Sequence, residues 1–207
     1  ACGEVTVCGG MAARLFRISF SGELAYEVAV PARYGNAMMG VLMEAGREFD
    51  AVPYGTEALG VMRIEKGHAA GNELNGQTTA HNLGMGRMVS RKKDCIGNVL
   101  SQRPEMLRED AVKLVGFRPV DRATGLIAGS HFIGQGYAAT MENDQGWMSS
   151  VAYSPSLGHS IGLGFLKRGD ARMGEILRAV SPVHGREMEV EVVSAHFMDP
   201  DGERLRG

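Results

Sequence analysis

From residue 113 to residue 198 the chain is a succession of short apolar runs, with glycine between or beside almost every one. Residues 113–118, 126–133, 136–142, 147–153, 159–167, 187–193 and 195–198 read as strands, and Gly129, Gly134, Gly146, Gly158, Gly169 and Gly185 supply the turns. The near-regular spacing of these strands predicts a small antiparallel barrel or sandwich. The chain can fill such a core: it has 207 residues, 44% of them apolar and 22% charged, enough for one large domain or two small ones.

The first half has a different character and reads as α+β. Glu4–Cys8 looks like a strand already in progress, without an initiator methionine or a signal-peptide pattern before it. On this reading the chain starts inside a domain, as a cut from a longer polypeptide would. Strands are predicted near 13–20 and 25–30. Pro31 and Ala32 then open a helix whose Met38, Val41, Leu42, Ala45 and Phe49 recur at the spacing of a buried stripe. Pro53 breaks it. A second helix starts at Thr56, with Glu57 in the first turn where the dipole favours an acid, and ends at Gly67. Ala58, Val61, Met62 and Glu65 share one face of it, so Glu65 needs a partner. Gly71–Asn82 is a surface loop by composition, and Arg91-Lys-Lys a short solvated basic run. The change of character near Pro104–Asp110 places a boundary at about residue 108, giving an α+β domain over 1–108 and a barrel over 109–207.

Several function classes drop out. Net charge is −2 with acids and bases interspersed, so no stripe points to nucleic acid and no polybasic cluster to a membrane surface. No apolar run approaches the roughly 18 residues of a membrane span. The cysteines, Cys2, Cys8 and Cys95, are odd in number and scattered, which fits a reducing compartment and a cytoplasmic protein. None of the six histidines pairs with another at i, i+4, and no metal site is expected. Gly134-Gln-Gly136-Tyr-Ala-Ala139 matches a G-x-G-x-x-A dinucleotide fingerprint, but that motif works only where a strand hands over to a helix N-terminus. Here Tyr137–Met141 reads as strand, and the nucleotide reading is rejected. Ser154-Pro-Ser-Leu-Gly158 is a turn whose serines have no triad partner in view.

The run Arg17-Ile-Ser-Phe-Ser-Gly-Glu-Leu-Ala-Tyr-Glu-Val-Ala-Val-Pro31 carries the one suspicious acid. In a strand over 25–30, Tyr26, Val28 and Val30 point to a core while Ala25, Glu27 and Ala29 point away. A carboxylate flanked by alanines leaves room for a flat ligand. A cross-strand Glu27–Arg17 ion pair is the plainer account of the same residues, since most polar strand residues are simply solvated or paired. Composition, periodicity and spacing therefore yield a two-part fold and one candidate residue, and no reaction.

Longer motifs go further. Phe20-Ser-Gly-Glu-Leu-Ala-Tyr-Glu-Val28 and Met62-Arg-Ile-Glu-Lys-Gly-His68 together resemble the tetrahydrofolate-binding T-protein family of the glycine cleavage system. Leu83-Gly-Met-Gly86, Asp94-Cys-Ile-Gly97, Lys113-Leu-Val-Gly-Phe117, Ser154-Pro-Ser-Leu-Gly158 and Ile161-Gly-Leu-Gly extend the likeness along the chain. Tyr54-Gly-Thr-Glu57, Glu65-Lys-Gly, Arg103-Pro-Glu-Met-Leu107 and the ending Asp199-Pro-Asp-Gly-Glu-Arg-Leu resemble one branch, the C-terminal regions of heterotetrameric sarcosine oxidase alpha subunits.

The resemblance implies the C-terminal part of a folate-binding α+β domain followed by a small antiparallel barrel. It implies that Glu27 accepts the amino group and ring N–H of a pterin, with Phe20 and His68 lining the pocket. Phe20 stands where the glycine-cleavage branch usually has tyrosine, and His68 where tyrosine is common in both branches. Leu59 replaces an arginine of the glycine-cleavage enzymes. Arg63 and Glu65 match a family Arg-x-Glu and are assigned to holding the helix. The family's catalytic aspartate lies upstream of Ala1, so no catalytic residue is expected here and the isolated chain is expected to be inert. In the intact assembly, sarcosine oxidation would deliver a one-carbon unit captured as 5,10-methylenetetrahydrofolate, with FAD, FMN and NAD held elsewhere. The implied partners are the upstream half of the same alpha chain and the other sarcosine oxidase subunits. A glycine-cleavage aminomethyltransferase, a dimethylglycine dehydrogenase-type domain and a non-catalytic assembly module are the alternatives. Folate-binding iron–sulfur maintenance proteins usually have cysteine where His68 stands, and are set aside.

Overall fold

A computed structural model describes residues 2–90 and 92–207. Lys92 and Lys93 of the short basic run are exposed, and Arg91 lies outside the described residues. By internal contacts the chain forms two compact units, Ala1–Met62 with Asp201–Gly207, and Arg63–Pro200.

The first unit opens on a three-stranded antiparallel sheet, β1 (Cys2–Val7), β2 (Met11–Arg17) and β3 (Tyr26–Ala29), in the order β1-β2-β3. A 3-10 turn at Ala32–Tyr34 leads into helix α1 (Gly35–Gly46), and a second one at Arg47–Phe49 follows it. Helix α2 (Thr56–Lys66) starts in this unit and ends in the next. The expected apolar stripe of α1 does not form a core. Met38 is buried, but Val41 and Leu42 are about half exposed and Phe49 is 76% exposed. Tyr26, expected inside, is likewise exposed. Among the described residues of this unit, Ala13 and Met38 are the only buried apolar side chains. The 3.6-residue period was real, but a stripe is buried only where another layer covers it.

The second unit contains the short helix α3 (Asn98–Ser101) and a closed barrel of β4 (Val112–Pro119), β5 (His131–Ile133), β6 (Asp144–Ser154), β7 (His159–Lys167), β8 (Ile176–Ser181) and β9 (Arg186–Val193), ordered β4-β7-β6-β5-β8-β9. A last short helix, α4 (Glu203–Arg206), belongs to the first unit. All barrel pairings are antiparallel, and β4 closes the ring by pairing with both β7 and β9. Val115, Phe117, Phe132, Met148, Leu166, Leu177, Val190 and Val192 fill the interior, where the Phe117 and Phe132 rings stack at 4.0 Å.

Strand β7 shows how the sequence builds this core. Its outward Ile161 and Leu163 are covered by Ile64 of α2 and by Ala195 and Phe197. Its inward positions include Gly164, where a Cβ would lie 2.6 Å from the Trp147 carbonyl and 2.9 Å from the Phe117 ring. The missing side chain makes room for the stacked phenylalanines.

Several strand boundaries differ from expectation. The run 126–133 shrinks to His131–Ile133, because Gly129 adopts φ +78° and turns the chain. Leu126 still reaches the core. Residues 136–142 form turns and a 3-10 helix at Met141–Asn143 instead of a strand, and no helix longer than that follows the G-x-G-x-x-A run. The sequence reading missed β8, whose inward residues are Leu177, Ala179 and Ser181, too small a signal for the pattern. Residues 195–198 are no strand; the Phe197 and Met198 N–H groups donate to the Glu65 carbonyl at 2.9 and 3.0 Å.

Gly146 takes φ +145°, and a Cβ there would lie 1.9 Å from the Phe165 carbonyl. Gly146→Ala is expected to destabilise the barrel by about 2–4 kcal/mol through backbone strain and steric overlap. A urea titration that leaves the midpoint unchanged would contradict that account.

Candidate functional site

Register decides what Glu27 faces. β2 pairs with β3 as Arg14↔Ala29, Phe16↔Glu27 and Arg17↔Tyr26, and β1 with β2 as Glu4↔Arg14 and Thr6↔Ala12. Opposed residues of antiparallel strands share a face. One face therefore carries Glu4, Thr6, Ala12, Arg14, Phe16, Glu27 and Ala29, while Val5, Val7, Ala13, Leu15 and Val28 occupy the other. Glu27 is exposed, and no hydrogen bond or ion pair holds its carboxylate among the described residues. The Arg17 guanidinium donates instead to the Leu205 and Arg206 carbonyls at 3.3 and 3.2 Å. The cross-strand ion pair is thus not formed. A depression of about 590 Å³ on this sheet is lined by Glu4, Val5, Thr6, Ala12, Ala13, Arg14, Ala29, Val30 and Pro31, and Glu27 is not among them.

Phe20 lies in the loop between β2 and β3 and is 40% exposed. The Gly22 N–H donates to Ser19 Oγ at 2.9 Å and Gly22 adopts φ +87°, which shapes that loop. His68 follows Gly67, just past the end of α2, in the second unit, and is partly buried. Its N–H donates to the Arg63 carbonyl at 2.9 Å, and its own carbonyl accepts from Arg63 Nη1 at 3.4 Å.

The most buried acid is one that sequence reasoning assigned to a surface loop. Glu73 is fully buried. Its carboxylate accepts from Arg63 Nη1 at 2.9 Å, the Ala70 N–H at 2.9 Å, and the hydroxyls of Ser149 and of Ser150, the latter at 2.7 Å. Arg63 Nη2 also donates to Ser150 Oγ at 2.8 Å. Burial pushes the Glu73 carboxyl up, but the Ser149 and Ser150 hydroxyls, the Ala70 N–H and the Arg63 charge outweigh it and hold it below the ordinary carboxylate value. Its neighbours in sequence gave no warning, because the two serines lie on β6, 76 and 77 residues away.

The rest of α2's end is pinned in the same way. Glu65, expected to need a partner, receives the Ser154 hydroxyl, which also accepts the Leu157 N–H at 3.1 Å. Lys66 pairs with Asp199 at 3.0 Å, both side chains about 10% exposed, and donates to the Asp199 carbonyl as well. The assignment of Arg63 and Glu65 to holding the helix agrees with these contacts. No cluster of three or more His, Cys, Asp or Glu is placed to hold a metal ion among the described residues.

Two family models match the chain: the GCVT N-terminal domain over residues 1–93 and the glycine cleavage T-protein C-terminal barrel domain over residues 113–199. The chain belongs to the glycine cleavage T-protein family. It is 45% identical to sarcosine oxidase subunit alpha of Rhizobium meliloti over 98% of its length, and 40% identical to that of a Corynebacterium over 99%. It spans only 21% of either relative. The aminomethyltransferase of Halothermothrix orenii is 31% identical over 88% of the chain, which covers 49% of that protein. The crystal structure of the Bartonella henselae glycine cleavage system aminomethyltransferase T superposes with a TM-score of 0.74 at 20% identity, over 90% of this chain and 50% of that one. That likeness establishes a T-protein fold ending in the six-stranded barrel.

Within this T-protein fold, Glu73 is a pH-sensitive strut. Its carboxyl is depressed on folding, so its contribution is present above the ordinary carboxylate pKa of 4.5 and is lost as pH falls through the lower folded value. Melting temperature is expected to drop on acidification below about pH 4.5, and Glu73→Gln to flatten part of that drop. At neutral pH, Glu73→Ala strands Arg63 in a nearly buried site and is expected to cost about 3–5 kcal/mol. Thermal scans of both variants from pH 3 to pH 8 check the sign and the size.

Proposed function

We propose that this chain is the tetrahydrofolate-binding, aminomethyltransferase-like C-terminal region of a sarcosine oxidase alpha subunit. The observation that carries the reading is Glu27: an exposed carboxylate without an internal partner, sharing a strand face with Ala12, Ala29 and Phe16. Its oxygens suit the paired amino and ring N–H donors of a pterin, and the small neighbours leave the ring room to lie flat. Phe20 would add an aromatic surface and His68 a stacking or hydrogen-bonding edge. Bound tetrahydrofolate supplies the nitrogens that accept a one-carbon unit. This chain's residues bind and orient it, and the family's catalytic aspartate is expected upstream. FAD, FMN and NAD belong, on this reading, to other parts of the assembly. The 38–45% identity to sarcosine oxidase alpha subunits, against 26–31% to aminomethyltransferases, favours this branch over an ordinary glycine-cleavage enzyme.

The same reading covers partners and domains. Val41, Leu42, Phe49, Val52 and Tyr54 present apolar surface that calls for a covering layer. The upstream half of the same polypeptide is the proposed cover, with the other oxidase subunits beyond it. By lineage we divide the chain into residues 1–108, the second half of the folate domain, and residues 109–207, the barrel. The exposed apolar surface also favours the second reading, a module kept for assembly.

Titrating folinic acid against the full-length protein separates the two. Glu27→Gln removes a charged, two-point acceptor and is expected to weaken binding by about 10- to 100-fold, without a change in melting temperature because the side chain is exposed. Absence of binding, or affinity indifferent to that substitution, would defeat the folate reading and leave assembly. The isolated 207-residue chain is expected to form no methylenetetrahydrofolate in a coupled assay.

A further inference from the structure

The ending Asp199-Pro-Asp-Gly-Glu-Arg-Leu resembles the sarcosine oxidase branch. The barrel family model stops at residue 199, whereas the Corynebacterium alpha subunit aligns over 99% of the chain. Residues 201–207 leave the barrel and rejoin the first unit.

Their contacts there include the end of β2 and the loop of residues 18–25 between β2 and β3. Arg17, the last residue of β2, pairs through its backbone with Tyr26, immediately before Glu27. Its guanidinium reaches the Leu205 and Arg206 carbonyls, acceptors left without intrahelical partners at the end of α4. At the other foot of the loop, Arg204 Nη1 pairs with Glu23 at 3.1 Å. Gly207 closes on Leu24 so tightly that a Cβ would lie 3.1 Å from its methyl group. The tail therefore touches the loop at both ends, while the Ser19 and Ser21 hydroxyls accept the Gly22 and Glu23 N–H groups within it.

We propose that residues 201–207 are a clasp that positions the Phe20 loop and the start of β3, setting the geometry of Glu27 and Phe20 toward the pterin. This inference rests on the folate reading and deepens it. Arg17, Glu23 and Arg204 are positioning residues: each acts through the loop, and none is asked to touch the ligand. The Arg204–Glu23 pair is half exposed and contributes little alone. The exposed bonds from Arg17, at 3.3 and 3.2 Å, add two charge-assisted contacts to the same segment. Ordering the loop before binding removes an entropic cost that an unclasped loop would meet on contact with folate.

The test compares the full-length protein with a deletion of 201–207, with Arg17→Met and Arg17→Lys, and with Glu23→Arg alone and combined with Arg204→Glu. Two quantities are read: amide exchange across 18–28 and folinic acid affinity. Deletion and Arg17→Met are expected to speed exchange in 18–28, leave the barrel strands protected, and weaken folinic acid about tenfold, the scale of one lost charge-assisted hydrogen bond. Arg17→Lys is expected to recover part of the affinity, and the charge-swapped pair to recover what Glu23→Arg loses. Unchanged exchange on deletion overturns the clasp. So does faster exchange with undiminished affinity where Glu27→Gln still weakens binding. If the parent protein binds no folinic acid, the folate reading fails by itself. The exchange arm then decides the clasp, upheld by lost protection of 18–28 and overturned by its persistence.

Discussion

A fully buried carboxylate, that of Glu73, joins three parts of the second unit that are remote in sequence. Arg63 comes from α2, the Ala70 N–H from the loop after it, and Ser149 and Ser150 from a barrel strand. A charge placed there without those partners would cost several kcal/mol, so the loop, the helix end and β6 must be in register together or not at all. That requirement makes the Gly- and Asn-rich segment around it an ordered part of the fold. Asn82 extends the order, donating to the Val112 carbonyl and accepting from Thr79.

The end of α2 is where the chain concentrates its buried polar contacts. Three side-chain contacts, Arg63 to Glu73, Glu65 to Ser154 and Lys66 to Asp199, fasten three residues of the helix to a loop, a hairpin turn and the segment after β9. Ile64, on the same stretch, packs on the outer face of β7. The family motif Arg63-x-Glu65 is thus accounted for by anchoring. Glu27 is its opposite: an acid of the same chain that is exposed and unpartnered among the described residues.

The sequence was a good guide wherever the deciding interaction was local. Alternation placed Glu27 and Ala29 on one face and Val28 on the other, as the register shows. Glycine punctuation led to a barrel or sandwich, which the structure closes as a barrel, and Ser154–Gly158 is the β6–β7 turn. It was a poor guide to burial. Tyr26 and Phe49 have the chemistry of core residues but lack a covering layer in this chain. Strand β8 escaped notice because Ala179 and Ser181 fill narrow places inside the ring, where bulk is not needed.

Short-range rules were therefore sufficient for the pleat of the β2–β3 hairpin, for the approximate positions of α1 and α2 and for the family signature, since each depends on residues within a few positions of one another. Which acids became struts and which stayed open was decided only by the tertiary structure. Glu73 and Glu65 meet their serines across 76, 77 and 89 residues, and the Arg17 guanidinium, on the face opposite Glu27, meets carbonyls 188 and 189 residues away. A carboxylate's state depends on the donors that surround it, and chain closure over such distances leaves no local trace of which donors those will be.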